Sequence, residues 1–308
     1  MLKHKDLVSI KDLSKDEILF IINQAKSFKE INQRAIKKVP TLRGKTVVTC
    51  FYEPSTRTRL SFEVAAKRLS ADTLNFSAST SSVKKGESFL DTLKNIEALK
   101  SDIVIIRHPA SGACRFASKI LNASVVNAGD GINEHPTQAL LDAFTIIEKK
   151  GEIKDLNVII AGDILHSRVA RSNIFLLTKL GANVKIFAPP MMLPKNIETL
   201  GVKTIKNFKD AIKDADVVMM LRVQLERQNK SLFPSVREYS RFFGFQKDFL
   251  FQIKDDAIIM HPGPMNRGVE ISSEVADSDK SVILEQVENG IAIRMAILYL
   301  LAGISGEQ

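Results

Sequence analysis

Short apolar runs rich in β-branched residues alternate with longer stretches of helical period along almost the whole chain. The runs are KTVVTCF (45–51), DIVIIR (102–107), SVVN (124–127), LNVIIAGD (156–163), NVKIFAP (183–189), VVMMLR (217–222) and AIIMHPGP (257–264). Before and between them, ILFIINQAKSF, FLDTLKNIEALK, HPTQALLDAFTIIEKK and SRVARSNIFLLTKL place apolar residues three and four apart, the period of an amphipathic helix. Strands separated by helices return by crossovers rather than tight hairpins, so they lie parallel to their neighbours. The pattern predicts an α/β architecture of mostly parallel sheets flanked by helices. Ser14 and Glu17 have capping-box spacing ahead of the first helix, and Gly151 closes the long one. A chain of 308 residues has room for two such domains. The boundary is expected near Lys150, giving domains 1–150 and 151–284. The apolar last helix, within 285–308, is expected to pack back on the first domain.

Composition narrows the function classes. The formal charge is +9, but the lysine pairs at 37/38, 84/85 and 149/150 lie far apart and no long basic block occurs. A dispersed positive surface suits small anionic substrates as well as nucleic acid. With no Trp and three Tyr, base-stacking platforms are scarce, which disfavours nucleic acid as the partner. Cys50 and Cys114 are widely spaced and form no C-x-x-C pattern, so neither a zinc site nor a disulfide framework is indicated. The N-terminal MLKHKDLVSIKDLS lacks a signal-peptide core. GIAIRMAILYLLAGI near the C-terminus is shorter than the ~20 residues needed to span a bilayer and contains Arg294, so it reads as a buried helix. A cytoplasmic protein without membrane segments is expected.

Ligands of open α/β sheets bind beyond the carboxyl ends of the strands. After KTVVTCF come Ser55, Thr56, Arg57, Thr58 and Arg59, at the start of a helix whose N-terminus is a natural anion cradle. Arg107 and His108 follow DIVII, and His135, Pro136, Thr137 and Gln138 open the long helix. In the second half Asp163, His166 and Arg168 follow VIIAG, Arg222 and Gln224 follow VVMML, and His261, Pro262, Gly263 and Pro264 follow AIIM. Guanidiniums present planar forks suited to phosphate and carboxylate. Arginines gathered at strand ends imply a cleft for two strongly anionic ligands. The competing reading makes the arginines a solvated helix face and His108, His166 and His261 hydrogen-bonded structural residues. No H-x-x-x-H, Walker loop, G-x-G-x-x-G or G-x-S-x-G is present, so no metal or cofactor is indicated.

Six motifs in order carry a resemblance: STRTR (55–59), SSVKKGES (81–88), HPTQALLD (135–142), GDILHSRVARSN (162–173), LRVQLER (221–227) and HPGPMNRGVEI (261–271). Together they resemble the aspartate/ornithine carbamoyltransferases over nearly the whole chain, and most closely the aspartate-using branch. The resemblance implies a carbamoyl-phosphate-binding domain (1–150) and an L-aspartate-binding domain (151–284), with the active site in the cleft between them. The implied reaction carbamoylates the α-amine of L-aspartate, an early step of pyrimidine biosynthesis.

The implied carbamoyl phosphate site comprises Ser55, Thr56, Arg57, Thr58, Arg107, His135, Gln138, Gly263 and Pro264. Of these, Arg57, Thr58, Arg107 and His135 are expected to be catalytic, while Arg59 is expected to play a supporting part. Arg168, Arg222 and Gln224 would take the carboxylates of L-aspartate. Ser81 and Lys85 would enter from the neighbouring subunit of a homotrimer, Lys85 reaching the aspartate. Glu53 is a candidate partner for Arg168 or Arg227. The sequence leaves open whether regulatory chains or a dihydroorotase join the trimer. Ornithine is the alternative acceptor, but an arginine at 222 suits a second carboxylate and would repel an ammonium group. Gly263 and Met265 replace a bulkier pair found in some aspartate-specific chains.

Overall fold

The computed structural model describes residues 2–77, 86–224 and 235–304. The helices are α1 (Lys15–Gln33), α2 (Thr56–Arg68), α3 (Phe89–Ala98), α4 (Ala113–Ser118), α5 (Pro136–Lys150), α6 (Arg168–Lys179), α7 (Phe208–Ile212), α8 (Val236–Phe243), α9 (Ser273–Ala276) and α10 (Ile283–Ile304). The strands are β1 (Thr46–Phe51), β2 (Asp72–Ser77), β3 (Ile103–His108), β4 (Ser124–Asp130), β5 (Asn157–Ala161), β6 (Asn183–Phe187), β7 (Lys203–Thr204), β8 (Val217–Met220) and β9 (Ile258–Met260). The chain divides into two compact units, Met1–Leu141 with Glu288–Gln308, and Asp142–Val287. Both divisions fall inside helices, α5 and α10.

The first unit holds a parallel sheet of order β2-β1-β3-β4. Val48, Cys50, Val104 and Ile106 pack with Leu93 and Ile96 of α3 and Cys114 and Ala117 of α4. The alternate residues Val47, Ile103 and Ile105 are equally buried, as strands covered on both faces require. Burial also raises the Cys50 thiol to about 12, so it serves as packing. The capping box before α1 is complete: Ser14 Oγ accepts from the Glu17 amide at 3.2 Å, and Glu17 Oε2 accepts from the Ser14 amide at 2.9 Å. Tyr299 of α10 meets Phe28 of α1 edge to face, ring centroids 5.7 Å apart.

The second unit holds a parallel sheet of order β7-β6-β5-β8-β9. Ile159, Ala161, Val218, Met220 and Ile259 face Phe208, Phe245, Ile271 and Val275 in one core. A buried polar tie joins three helices: Asp142 accepts from Asn173 Nδ2 at 2.8 Å and from Gln286 Nε2 at 2.7 Å.

Strand order fixes where ligands bind. In the first sheet the chain moves from β1 outward to β2, then crosses to β3 on the other side of β1. In the second it runs β5, β6, β7 outward and then crosses to β8 on the far side of β5. Each reversal opens a crevice at the carboxyl ends of the two strands that flank it, β1/β3 and β5/β8. Strands β2 and β7, helices α4, α7, α8 and α9, and the extension of β4 to Asp130 add to the elements expected from sequence. Among the described residues, no helix is long and apolar enough to cross a membrane.

Candidate functional site

At the β1/β3 crevice, the turn after β1 delivers Ser55 as the N-cap of α2, with φ −161° and no side-chain capping bond. Thr56 and Arg57 are exposed in the first turn, and Thr58 is buried. The register pairs Phe51 with Arg107, and the Tyr52 amide donates to the Arg107 carbonyl at 2.8 Å, so Arg107 lies beside the turn that starts α2. Its Nη1 donates to the Ala128 carbonyl at 3.2 Å, and its Nε stands 3.6 Å from Glu53 Oε2. Glu53 therefore faces an arginine of its own unit; Arg227, one of the two partners expected for it, lies outside the described residues.

A network behind β4 positions the next group. Asp130 accepts from the amides of Gly112 at 2.7 Å and Glu134 at 3.2 Å. Glu134 in turn accepts from the Ile10 amide at 3.0 Å and from Ser9 Oγ. This holds the turn that presents buried His135 and Gln138 at the start of α5, where the His135 carbonyl accepts from the Gln138 amide at 3.0 Å. His108 is half-buried against Tyr52 and Phe89, and its Nδ1 accepts from the Ala110 amide at 3.0 Å. Burial holds its pKa below the ordinary histidine value, against the pull of the Glu53 and Asp130 carboxylates. His108 is a structural imidazole.

At the β5/β8 crevice, Ser167 caps α6 by accepting from the Ala170 amide at 3.1 Å, and Arg168, 3 % exposed, is the first helical residue. Asp163 links the two strand ends: it accepts from the His166 amide at 3.2 Å and from the Gln224 amide at 3.3 Å, with His166 Nδ1 2.9 Å away. Arg222 and Gln224 flank Val223, which is buried against Met192 and Tyr239. Beyond the neighbouring β9, His261, Pro262, Gly263 and Pro264 form a turn with a cis Gly263–Pro264 peptide. Gly263 and Pro264 therefore belong to the second unit, whereas the other residues expected around carbamoyl phosphate belong to the first. Ser81 and Lys85 lie outside the described residues.

The electrostatics of both crevices favour anions. Helix N-termini usually carry acidic residues that offset the dipole, and α1, α3, α7, α8, α9 and α10 do. Helices α2, α5 and α6 have none in their first turns, and nor does the six-residue α4. Instead α2 and α6 place Arg57 and Arg168 there, where the dipole opposes a cation and favours an anion. Among the described residues, no group of three or more His, Cys, Asp or Glu has metal-binding geometry. Sequence reasoning named Asp163 without giving it a role and passed over Asp130, Glu134 and Glu270. An acidic residue inside or beside an otherwise basic motif is the signal that marks them.

Residues 5–148 match the family model described as aspartate/ornithine carbamoyltransferase, carbamoyl-P binding domain, and residues 154–301 match the corresponding Asp/Orn binding domain. The aspartate carbamoyltransferase catalytic subunit of Geobacter sulfurreducens is 59 % identical over 302 residues, covering 98 % of this chain and 97 % of that one. Its counterpart from Syntrophotalea carbinolica is 58 % identical over 300 residues, covering 97 % and 96 %. Among solved structures, the catalytic subunit of M. jannaschii aspartate transcarbamoylase has a TM-score of 0.86 at 37 % identity, covering 99 % of this chain and 100 % of that one. Trypanosoma cruzi aspartate transcarbamoylase in complex with carbamoyl phosphate and aspartate has a TM-score of 0.88 at 29 % identity, covering 97 % of each chain.

Proposed function

The chain belongs to the aspartate/ornithine carbamoyltransferase family, and on that premise we propose that it is the carbamoyltransferase whose acceptor is L-aspartate. It transfers the carbamoyl group of carbamoyl phosphate to the α-amine of L-aspartate, giving N-carbamoyl-L-aspartate and phosphate. The observation that carries the reading is the placement of arginines at acid-free helix N-termini and strand ends in both sheets. That placement suits two anionic substrates.

Residues 1–150 form the carbamoyl-phosphate-binding domain and 151–284 the L-aspartate-binding domain. Ser55, Thr56, Arg57 and Thr58 take the phosphate at the N-terminus of α2. Thr58, Arg107 and His135 stabilise charge developing on the carbonyl oxygen as the neutral amine attacks; removing one such donor commonly costs ~10²-fold or more in rate. Gln138 holds the carbamoyl nitrogen, and the backbone carbonyls near Gly263 and Pro264 hold that amide and the attacking amine. A C–N bond forms and the C–O bond to phosphate breaks, with the amine proton leaving on the departing phosphate. Arg57 offsets the charge of that leaving group. Arg168, Arg222 and Gln224 bind the two carboxylates of aspartate, and the positive charge of Arg222 disfavours ornithine.

The finer reading is a cytoplasmic homotrimer in pyrimidine biosynthesis, with Ser81 and Lys85 supplied by the neighbouring subunit. The direct test is purified protein with carbamoyl phosphate and either L-aspartate or L-ornithine, scored for ureido product. Turnover of ornithine alone overturns the assignment. Mixing inactive Arg57→Ala and Lys85→Ala chains under subunit exchange is expected to restore activity; no recovery removes Lys85 from a shared site.

A further inference from the structure

The segment after β9 is closed by its own side chains. His261 Nδ1 accepts the backbone N–H of Gly263 at 2.8 Å, so the ring proton resides on Nε2, which lies 3.1 Å from Glu270 Oε1. The same Oε1 accepts the backbone N–H of Asn266 at 2.6 Å. One carboxylate oxygen therefore holds residues 261 and 266, the two ends of the turn containing Gly263 and Pro264. Both the His261 and the Glu270 side chains are fully buried.

Two further bonds hold this turn within the second unit. The His261 amide donates to Gln286 Oε1 at 2.9 Å, and Asn266 Nδ2 donates to the carbonyl of Val223, between Arg222 and Gln224, at 3.4 Å. The Gly263 amide is committed inward, and neither the Gly263 nor the Pro264 carbonyl accepts a hydrogen bond from a described residue.

We propose that Glu270, acting through the tautomer of His261, is the positioning residue that presents the Gly263 and Pro264 carbonyls to the carbamoyl NH₂ group. The inference rests on the carbamoyl-transfer reading above. The other neutral tautomer, or an imidazolium, would set Nδ1–H against the Gly263 N–H and open the turn. Glu270 excludes the other tautomer because a carboxylate oxygen can only accept, so it requires a donor at Nε2. A carboxylate also has no flipped form, whereas a glutamine in its place can turn its NH₂ toward the Asn266 amide. A shift of the two carbonyls of the order of 1 Å is enough to lose productive contact with a small substrate.

The test compares Glu270→Ala, Glu270→Gln, His261→Ala and His261→Asn in the full chain, with carbamoyl phosphate varied at saturating L-aspartate. Glu270→Ala and His261→Ala are expected to raise KM for carbamoyl phosphate about 10-fold or more, with kcat falling less. Inhibition by inorganic phosphate, which needs only the α2 cradle, is expected to stay unchanged. Asparagine places Oδ1 where Nδ1 stood, so His261→Asn is expected to recover KM to within about threefold of the parent. Should Glu270→Ala not fold, Glu270→Gln and the two His261 variants decide. The proposal is overturned if KM stays within about twofold in the alanine variants, if phosphate inhibition weakens in step, or if His261→Asn does no better than His261→Ala. Parent chain that turns over no carbamoyl phosphate with aspartate instead defeats the functional reading itself.

Discussion

Arg294 Nη1, on the last helix, donates a hydrogen bond to the hydroxyl of Ser61 on α2 at 2.7 Å. The guanidinium also lies over the Phe62 ring, 5.0 Å from its centroid, so the final helix is fastened one turn below the proposed phosphate cradle.

Gly290 makes that fastening sterically possible. A Cβ there would stand 2.6 Å from Arg294 Nη1 and 3.2 Å from Leu141 Cδ2. Replacing a helical glycine with alanine ordinarily gains about 1 kcal/mol, but overpacking a core costs about 1–3 kcal/mol. Gly290→Ala is therefore expected to lower stability by about 1 kcal/mol, read as an earlier urea midpoint at unchanged slope. A stabilised variant would show that the guanidinium has room to move aside.

Gly162, at the end of β5, bears on the second crevice. Its φ of +127° lies where side chains are rarely tolerated, and a Cβ would stand 2.5 Å from the Leu221 carbonyl oxygen. Backbone cannot step aside as a flexible side chain can. Gly162→Ala is expected to lose about 2–4 kcal/mol, combining backbone strain with displacement of the neighbouring strand end. Because that strand end carries Arg222 and Gln224, KM for L-aspartate is expected to rise more than KM for carbamoyl phosphate. Equal changes in both would separate Gly162 from the acceptor site.

The legible parts of this molecule are those where one local rule governs. Apolar runs such as Ile103–Ile106 are buried on both faces, so their composition alone announces a covered strand. Strand β2 gives no such sign: Asp72, Leu74 and Asn75 are exposed at a sheet edge, and its pairing with β1 is what defines it. Candidate site residues were readable because a strand end is a sequence position, so Arg57, Arg107, Arg168 and Arg222 could be placed before any contact was known. Their partners were not readable. Glu53 facing Arg107, Asp163 accepting from Gln224 and Glu270 accepting from His261 depend on which loops the crossovers bring together.

His108 supplies a pH signature. Burial favours its neutral form in the native state, while in the unfolded chain it titrates near the ordinary value of about 6.5. Below that value the unfolded state binds a proton that the native state refuses. Its contribution to stability is thus full above about pH 6.5 and declines as pH falls toward the lower native value. His108→Gln removes this term. The gap in urea midpoint between parent and variant is expected to narrow between pH 8 and pH 5.5, and a constant gap would mean that burial does not shift the group.

Arg222 is the residue proposed to select the acceptor. It follows β8 beside Val223, which Met192 and Tyr239 hold in place, so its backbone is fixed while its side chain remains half-exposed. Hydrogen bonds to charged groups contribute about 1.5–3 kcal/mol, which corresponds to roughly 10- to 100-fold in affinity. Arg222→Gln keeps much of the side chain's bulk but loses the charge and the guanidinium fork. It is expected to raise KM for L-aspartate by that factor and to leave KM for carbamoyl phosphate within about twofold. Succinate, which keeps both carboxylates and lacks the amine, separates binding from chemistry: its inhibition is expected to weaken in proportion to the change in aspartate KM. Should both aspartate KM and succinate inhibition stay at parental values, Arg222 does not touch the acceptor, and the argument that its charge selects aspartate over ornithine fails with it.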